Sequence, residues 1–258
     1  MPHELLDADV QGPIAVLRLN RPHKRNALSD GLVLELRRAF ESLPAGVRAV
    51  VLCAHGEHFC AGLDLGELRE RDPGQGLLHS RMWHQALDAI QYGPAPVIAA
   101  LHGAVVGGGL ELAAACHVRV ADETAYYALP EGARGIFVGG GGSVRIPKLI
   151  GTARMADMML TGRVYGAAEG ERAGFAQYLV PEGQAFDKAL ALAARVAQNA
   201  PLTNYALMHA LPRIAEQPAD QGFFTEAMMA AIAQSAPEAK SRLADFLEGR
   251  AAKVRKED

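Results

Sequence analysis

The chain has 258 residues with a formal net charge of −3; 50% are apolar and 21% charged, enough to bury a full core as one large domain or one domain with an appendage. So small a charge leaves no global basic field for nucleic acid or an anionic membrane surface, and any anionic ligand must be held locally. Cys53, Cys60 and Cys116 lack C-x-x-C spacing, no run reaches the ~20 apolar residues of a membrane span, and the opening MPHELLDADVQG is acidic without an apolar core, which predicts buried free thiols in a cytoplasmic protein rather than a disulfide framework, a zinc knuckle or a signal peptide.

In chain order, IAVLRL at 14–19 alternates as a strand and ends at Asn20-Arg21-Pro22, where proline cannot continue a ladder. The loop NRPHKRNALS follows, with His23, Lys24 and Arg25 forming a solvated basic turn. Leu32, Leu36 and Phe40 have helical spacing behind a cap at Ser29 or Asp30. VRAVVLCA at 47–54 reads as a buried strand. His55 and His58 have an H-x-x-H look but no further ligands at useful spacing, so solvated loop histidines are expected and no metal site.

The stretch 66–76 mixes charge, glycine and proline and is the best candidate for a mobile segment. A helix over 77–91 follows, with Met82, Trp83, Leu87 and Ile90 on its apolar face. Pro94 and Pro96 end it and launch a continuous apolar run at 97–101, suited to a central strand.

The most informative run is HGAVVGGGLELAAACHVRVAD at 102–122. Three glycines run straight into a segment with the composition of a buried helix, with Glu111 in its first turn, and VRVAD then reads as a short returning strand. Glycine lets backbone approach a ligand closely, and the free N–H groups and positive dipole end of a helix attract developing negative charge. That combination makes an oxyanion hole; equally, the glycines serve tight packing and Glu111 is an ordinary favourable N-terminal charge. A second carboxylate, Glu131, stands twenty residues on in ALPEGARGIFVGGGG, again beside glycines in an apolar setting. Helices are then predicted over 143–150 and 155–161, and a last strand over 178–180. From 184 onward only Ala-rich helices are expected, at about 184–199, 202–216, 221–235 and 237–250, with more apolar residues than a solvated appendage needs, among them Phe223, Phe224, Met228 and Met229. The final KVRKED reads as disordered.

Taken together these runs resemble the crotonase superfamily (enoyl-CoA hydratase/isomerase). The resemblance is carried by Gly107-Gly108-Gly109-Leu110-Glu111-Leu112, the strand at 116–121, Pro130-Glu131 with the glycines at 139–142, F-x-A-G-x-D-L at 59–65 and N-R-P-x-x-x-N-A-L at 20–28, and it covers roughly residues 10 to 250. It implies an α/β fold, a crotonase-like spiral of ββα units over residues 1–183, with a C-terminal helical region over 184–258 that mediates assembly into a homo-trimer or a dimer of trimers. It implies that the N–H groups of Ala61 and Gly108 hold a thioester oxygen, and that Arg25, Ala27, Ala61, Gly62, Leu63, Asp64 and Gly108 contact coenzyme A, Arg25 through a phosphate. Asp64 itself reads as a loop-fixing acceptor. Met82 and Trp83 either pack in the core or wall the acyl pocket.

The implied activity is reversible hydration of a trans-2-enoyl-CoA to a 3-hydroxyacyl-CoA, with Glu111 activating the water and Glu131 giving a proton to Cα. Two carboxylates sharing one water suffice for this, so no metal or organic cofactor is expected and coenzyme A is part of the substrate. Both glutamates together favour a hydratase over an isomerase, which usually keeps one carboxylate. The chain departs from the family pattern at His117, Leu129 and Phe137-Val138-Gly139-Gly140, which leaves open an isomerase or lyase acting on an aryl- or alicyclic acyl-CoA. A non-catalytic oligomeric binding protein would instead show a basic stripe or a missing glutamate, and the chain has neither.

Overall fold

The computed structural model describes residues 5–67 and 69–250; the KVRKED tail and the first four residues lie outside that range. The strands and helices in chain order are β1 (Leu6–Gln11), β2 (Ile14–Leu19), α1 (Asp30–Glu41), β3 (Ala49–Ala54), α2 (Pro73–Gln91), β4 (Val97–Leu101), β5 (Ala104–Val106), α3 (Gly108–Ala115), β6 (Val118–Asp122), β7 (Tyr126–Ala128), α4 (Gly142–Ile150), α5 (Thr152–Thr161), β8 (Tyr165–Gly166), α6 (Ala167–Ala173), β9 (Tyr178–Val180) and α7 (Ala185–Ala197). A second compact unit starting at Gln198 contains α8 (Pro201–Tyr205), α9 (Leu211–Ile214), α10 (Ala219–Ser235) and α11 (Pro237–Leu247).

The spiral follows from the pairing. β4 runs into β5 and then α3; β6 runs into β7 and then α4. β6 lies parallel beside β4 in a six-stranded sheet of order β1-β2-β3-β4-β6-β9, while β7 lies parallel beside β5 in a three-stranded sheet of order β5-β7-β8. Each ββα step therefore adds one strand to each sheet. In the earlier steps the second sheet shrinks to isolated parallel bridges, Leu28 to Leu63 and Cys60 to Val105. Loops thus stand where strands would, and they carry the motif residues of 20–28 and 59–65.

Side chains of the large sheet alternate between two cores, as a period of two requires. Leu17, Leu19, Val50, Leu52, Ala99 and Leu101 join α1, α2 and α3. Val16, Val51, Cys53, Ile98, Ala100 and Val120 face the other way, toward α7, which presents Ala185, Ala189, Leu192, Ala193 and Ala197 at helical spacing. The expected boundary at 183/184 assigned this helix to the appendage; in the structure α7 packs on β3, β4 and β6, and the two compact units divide after Ala197. α7 thus supplies the apolar cover for the second core of the sheet.

Two other differences have local causes. The 66–76 segment is helical from Pro73, because Asp72 Oδ1 accepts the Gln75 N–H at 2.8 Å and Gln75 Oε1 accepts the Asp72 N–H at 3.3 Å, a capping box with proline in the first turn. The single helix expected over 202–216 is interrupted by a π-helical turn at Ala206–Ala210, just ahead of Pro212, whose ring lacks the N–H that an unbroken α-helix would use. Among the described residues no helix is long and apolar enough to cross a membrane.

Candidate active site

The site is built from loops that clasp one another. Arg25 and Asn26 both adopt left-handed backbone, with φ of 51° and 54°, a conformation asparagine tolerates better than most residues. The turn puts the Asn26 amide in the interior. Its Oδ1 accepts the Arg21 N–H at 2.9 Å, and its Nδ2 donates to the carbonyls of His55 and His58 at 2.8 and 2.7 Å. Arg21 donates to the Ala27 carbonyl and pairs with Asp64 at 2.8 Å. Asp64 also accepts the Gly66 N–H at 3.0 Å, so it is the loop-fixing acceptor expected, and Arg21 holds its carboxyl below the usual range. Arg25 is exposed and Ala27 is buried.

Glycines bring this clasp against α3. Gly62 has φ of 98°, and a Cβ there would sit 2.8 Å from the Val106 carbonyl oxygen. A side chain at Gly109 would strike the Cys60 carbonyl. The approach leaves two donors side by side: Gly108 N–H, in the first turn of α3 with no intrahelical partner, and Leu63 N–H, which lies 3.6 Å from the position of a Cβ on Gly108. Among the described residues Leu63 N–H donates no backbone hydrogen bond. The expected partner was Ala61. That assignment is corrected: the Ala61 N–H donates to the Arg25 carbonyl at 3.0 Å and is spent on the loop clasp.

Leu63, Gly62 and Gly108 line a cavity of about 330 Å³ together with Glu111 and Glu131. Glu111 is 4% exposed, and its Oε1 accepts two N–H groups, from Gly140 and Gly142, each at 2.8 Å. Burial pushes its carboxyl above the ordinary range, and the two donors pull part of the way back. Glu131 is 7% exposed, and its buried Oε2 has no hydrogen-bond partner among the described residues. Burial raises its carboxyl too, and the charge of Glu111 adds to the rise. Two buried carboxyls in one cavity, Glu111 held by the N–H groups of Gly140 and Gly142 and Glu131 with its Oε2 unpartnered among the described residues, suit a base and an acid working together.

The remaining wall comes from α2 and the loop after Glu131. Trp83 belongs both to the core and to the cavity, and its Nε1 donates to Asp30 Oδ1 at 3.1 Å. Asp30 also pairs with His79 at 2.7 Å. Met82 is only partly buried and packs against the core. Val138 is buried and Phe137 is 69% exposed, and both line the cavity. A larger cavity, about 650 Å³, lies by Arg18, Cys53 and Phe186 and contains neither glutamate.

His55 pairs with Asp7 at 2.7 Å and His58 Nδ1 accepts the Ala104 N–H at 3.2 Å; no metal-binding group of side chains occurs among the described residues. Cys53, Cys60 and Cys116 are free and buried, which pushes the thiols up to about 11, 12 and 12. His117, at a position where the family usually has aspartate, ties the end of α2 to the start of β4: Nδ1 accepts the Val97 N–H and Nε2 bonds the Gln91 carbonyl, each at 3.0 Å.

A family model described as enoyl-CoA hydratase/isomerase matches residues 9–257. The chain belongs to that family. It is 30% identical over 246 residues to an enoyl-CoA hydratase of Mycobacterium tuberculosis, covering 93% of this chain and 92% of that one. It is 31% identical to the 2,3-dehydroadipyl-CoA hydratase of Escherichia coli, over 93% and 94% of the two chains. A provisionally named enoyl-CoA hydratase from Rhodopseudomonas palustris has a crystal structure that superposes with a TM-score of 0.93, at 61% identity over 97% of each chain. The crotonase fold and an enoyl-CoA hydratase-like hydro-lyase activity follow from this membership.

Proposed function

We propose that the chain adds water reversibly across the Cα=Cβ bond of a trans-2-enoyl-CoA, using Glu111 and Glu131 as its acid–base pair and the N–H groups of Leu63 and Gly108 as its oxyanion hole. One observation carries this: two buried carboxyls share a cavity with two adjacent, uncommitted backbone donors. The thioester oxygen sits between the donors, which stabilise the enolate charge as the β-carbon is attacked. Glu111, with Oε1 engaged by two N–H groups, takes a proton from the attacking water through its other oxygen. Glu131, its carboxyl raised and Oε2 uncommitted, delivers a proton to Cα. One water is consumed, and one C–O and one C–H bond form.

The exposed left-handed turn at Arg25 supports a contact with a coenzyme A phosphate, and Ala27, Gly62, Leu63 and the Arg21-braced Asp64 form the rest of the thioester-binding loop. Ala61 belongs to that loop as a small residue, its N–H held by the Arg25 carbonyl. Exposed Phe223 and Phe224, each about 70%, with Met228, Phe246 and Leu247, support assembly of the C-terminal helices as a trimer or a dimer of trimers. Buried thiols support a reducing, cytoplasmic setting.

The test is a panel of crotonyl-CoA and longer and aryl-substituted enoyl-CoAs, followed by loss of the conjugated-thioester absorbance. Hydration with the wild type and a fall of ~10²–10⁴ in each of Glu111→Gln and Glu131→Gln is the expected result. A wild type that binds these thioesters yet only shifts their double bond, or cleaves them, overturns it.

A further inference from the structure

Glu111 is oriented by groups that lie outside its own helix. Gly139 O and Gly140 N belong to one planar peptide. Its oxygen accepts from Ser80 Oγ at 2.5 Å, so its N–H points the opposite way, onto Glu111 Oε1 at 2.8 Å. The next carbonyl, Gly140 O, accepts from Arg145 Nη1 at 3.1 Å. Arg145 is itself buried and pinned to α2, with Nε on Gln91 Oε1 at 2.6 Å and Nη2 on Asp88 Oδ1 at 2.5 Å. Gly141 has φ of 97°, and a side chain there would strike the Arg145 guanidinium. The loop therefore closes over that guanidinium and brings Gly142 N–H onto the same carboxylate oxygen.

We propose that Ser80 and Arg145 are positioning residues for Glu111: by gripping successive carbonyls of the glycine loop from α2 and α4, they aim two N–H groups at Oε1 and reserve the second oxygen for the reacting water. This rests on the hydratase reading of the cavity and adds to it the residues that orient its base. Ser80 lines the same cavity as Trp83 and His79, so the wall that meets the acyl group also sets the carboxylate. The charged and titratable groups lining the cavity with Glu111 are Glu131, Arg134, Arg71 and His79, and behind the glycine loop stand Arg145 on α4 with its partner Asp88, and His84 on α2. His84 Nε2 lies 3.4 Å from Ser80 Oγ.

The experiment measures kcat and KM for crotonyl-CoA across pH in the full chain for Ser80→Ala, Ser80→Thr and Arg145→Gln. In parallel, Glu111 is titrated by 13C NMR of glutamate-labelled protein, assigned with Glu111→Gln. Ser80→Ala is expected to lower kcat about tenfold, as for loss of one neutral hydrogen bond, with KM within about twofold. Loosened donors stabilise the carboxylate less, so the acidic limb of kcat and the NMR titration of Glu111 move together to higher pH. Ser80→Thr, which keeps the hydroxyl, restores both, and Arg145→Gln, if it folds, falls further. An unmoved Glu111 titration in Ser80→Ala overturns the proposal, including the case where the limb moves through His84 or where only the melting temperature falls. If the wild type hydrates no enoyl-CoA, the hydratase reading fails, and the Glu111 titration still decides the positioning role.

Discussion

Gly108→Ala tests the oxyanion hole most sharply, because the structure says what the added methyl would meet. A Cβ at Gly108 would lie 3.3 Å from the Trp83 ring, 3.5 Å from Leu28 Cδ1 and 3.6 Å from Leu63 N. The first needs a shift of a few tenths of an ångström, and the second is an ordinary van der Waals contact. The third puts the methyl beside the donor pair, where the thioester oxygen has to sit. Gly108 does not require left-handed backbone, and alanine in a helix is favoured over glycine by roughly 0.5–1 kcal/mol. Stability should therefore change by no more than about 1 kcal/mol, while kcat/KM for crotonyl-CoA falls ~10²–10³, the usual loss for one oxyanion donor. Gly109→Ala is the control: its Cβ would run into the Cys60 carbonyl, so it should damage folding first and activity in consequence. Absorbance kinetics and thermal melts on the two variants decide the matter. A Gly108→Ala protein that folds and hydrates at the wild-type rate would refute the placement of the thioester oxygen between Leu63 and Gly108.

Other consequences follow from the same contacts. Glu131 has its carboxyl raised by burial, so its contribution to stability is full below the unfolded value and is lost as pH rises through the folded one; Glu131→Gln should gain melting temperature over the wild type progressively as pH is raised from 4 to 8, and equal melting curves across that range would contradict it. Arg21→Leu leaves Asp64 nearly buried without its cation and should cost about 3–5 kcal/mol in denaturant titration, whereas Arg25→Ala on the exposed turn should leave stability within about 0.5 kcal/mol and raise KM for the coenzyme A thioester. Leu192→Ala removes the largest buried side chain that α7 offers to the sheet and should cost about 2–5 kcal/mol; a change under 0.5 kcal/mol would mean that α7 is not part of that core.

The glutamates, the glycine run and the separate strands at 14–19, 47–54, 97–101 and 118–122 were legible because each leaves a local mark: apolar runs of strand length, glycines beside acids, prolines at the exits; the spiral came from the family resemblance, and the strand order only from the pairing. The Ala61 donor was not, since a loop motif names several N–H groups and only their acceptors reveal which are spent; the Arg25 carbonyl that takes the Ala61 N–H is 36 residues away in sequence and joined through a left-handed turn. Arg21, Ser80 and Arg145 were missed for a related reason. Each acts on a backbone carbonyl or carboxylate from a distant element, and a lone arginine in RIPKLI or serine in LLHSRM carries no periodic signature. The 184 boundary failed because an Ala-rich amphipathic helix looks the same whether it caps a sheet or joins a bundle; what covers the second face of a parallel sheet is set by tertiary packing.

The most direct test of the central claim is product analysis in H2¹⁸O. Crotonyl-CoA is incubated with wild type, Glu111→Gln and Glu131→Gln, and the thioester products are examined by mass spectrometry. The account predicts a 3-hydroxybutyryl-CoA carrying one ¹⁸O at C3, formed rapidly by wild type and at least about a hundredfold more slowly by each variant. Unlabelled, isomerised or cleaved product from wild type, or full-speed labelling by either glutamine variant, would contradict hydration by the Glu111–Glu131 pair.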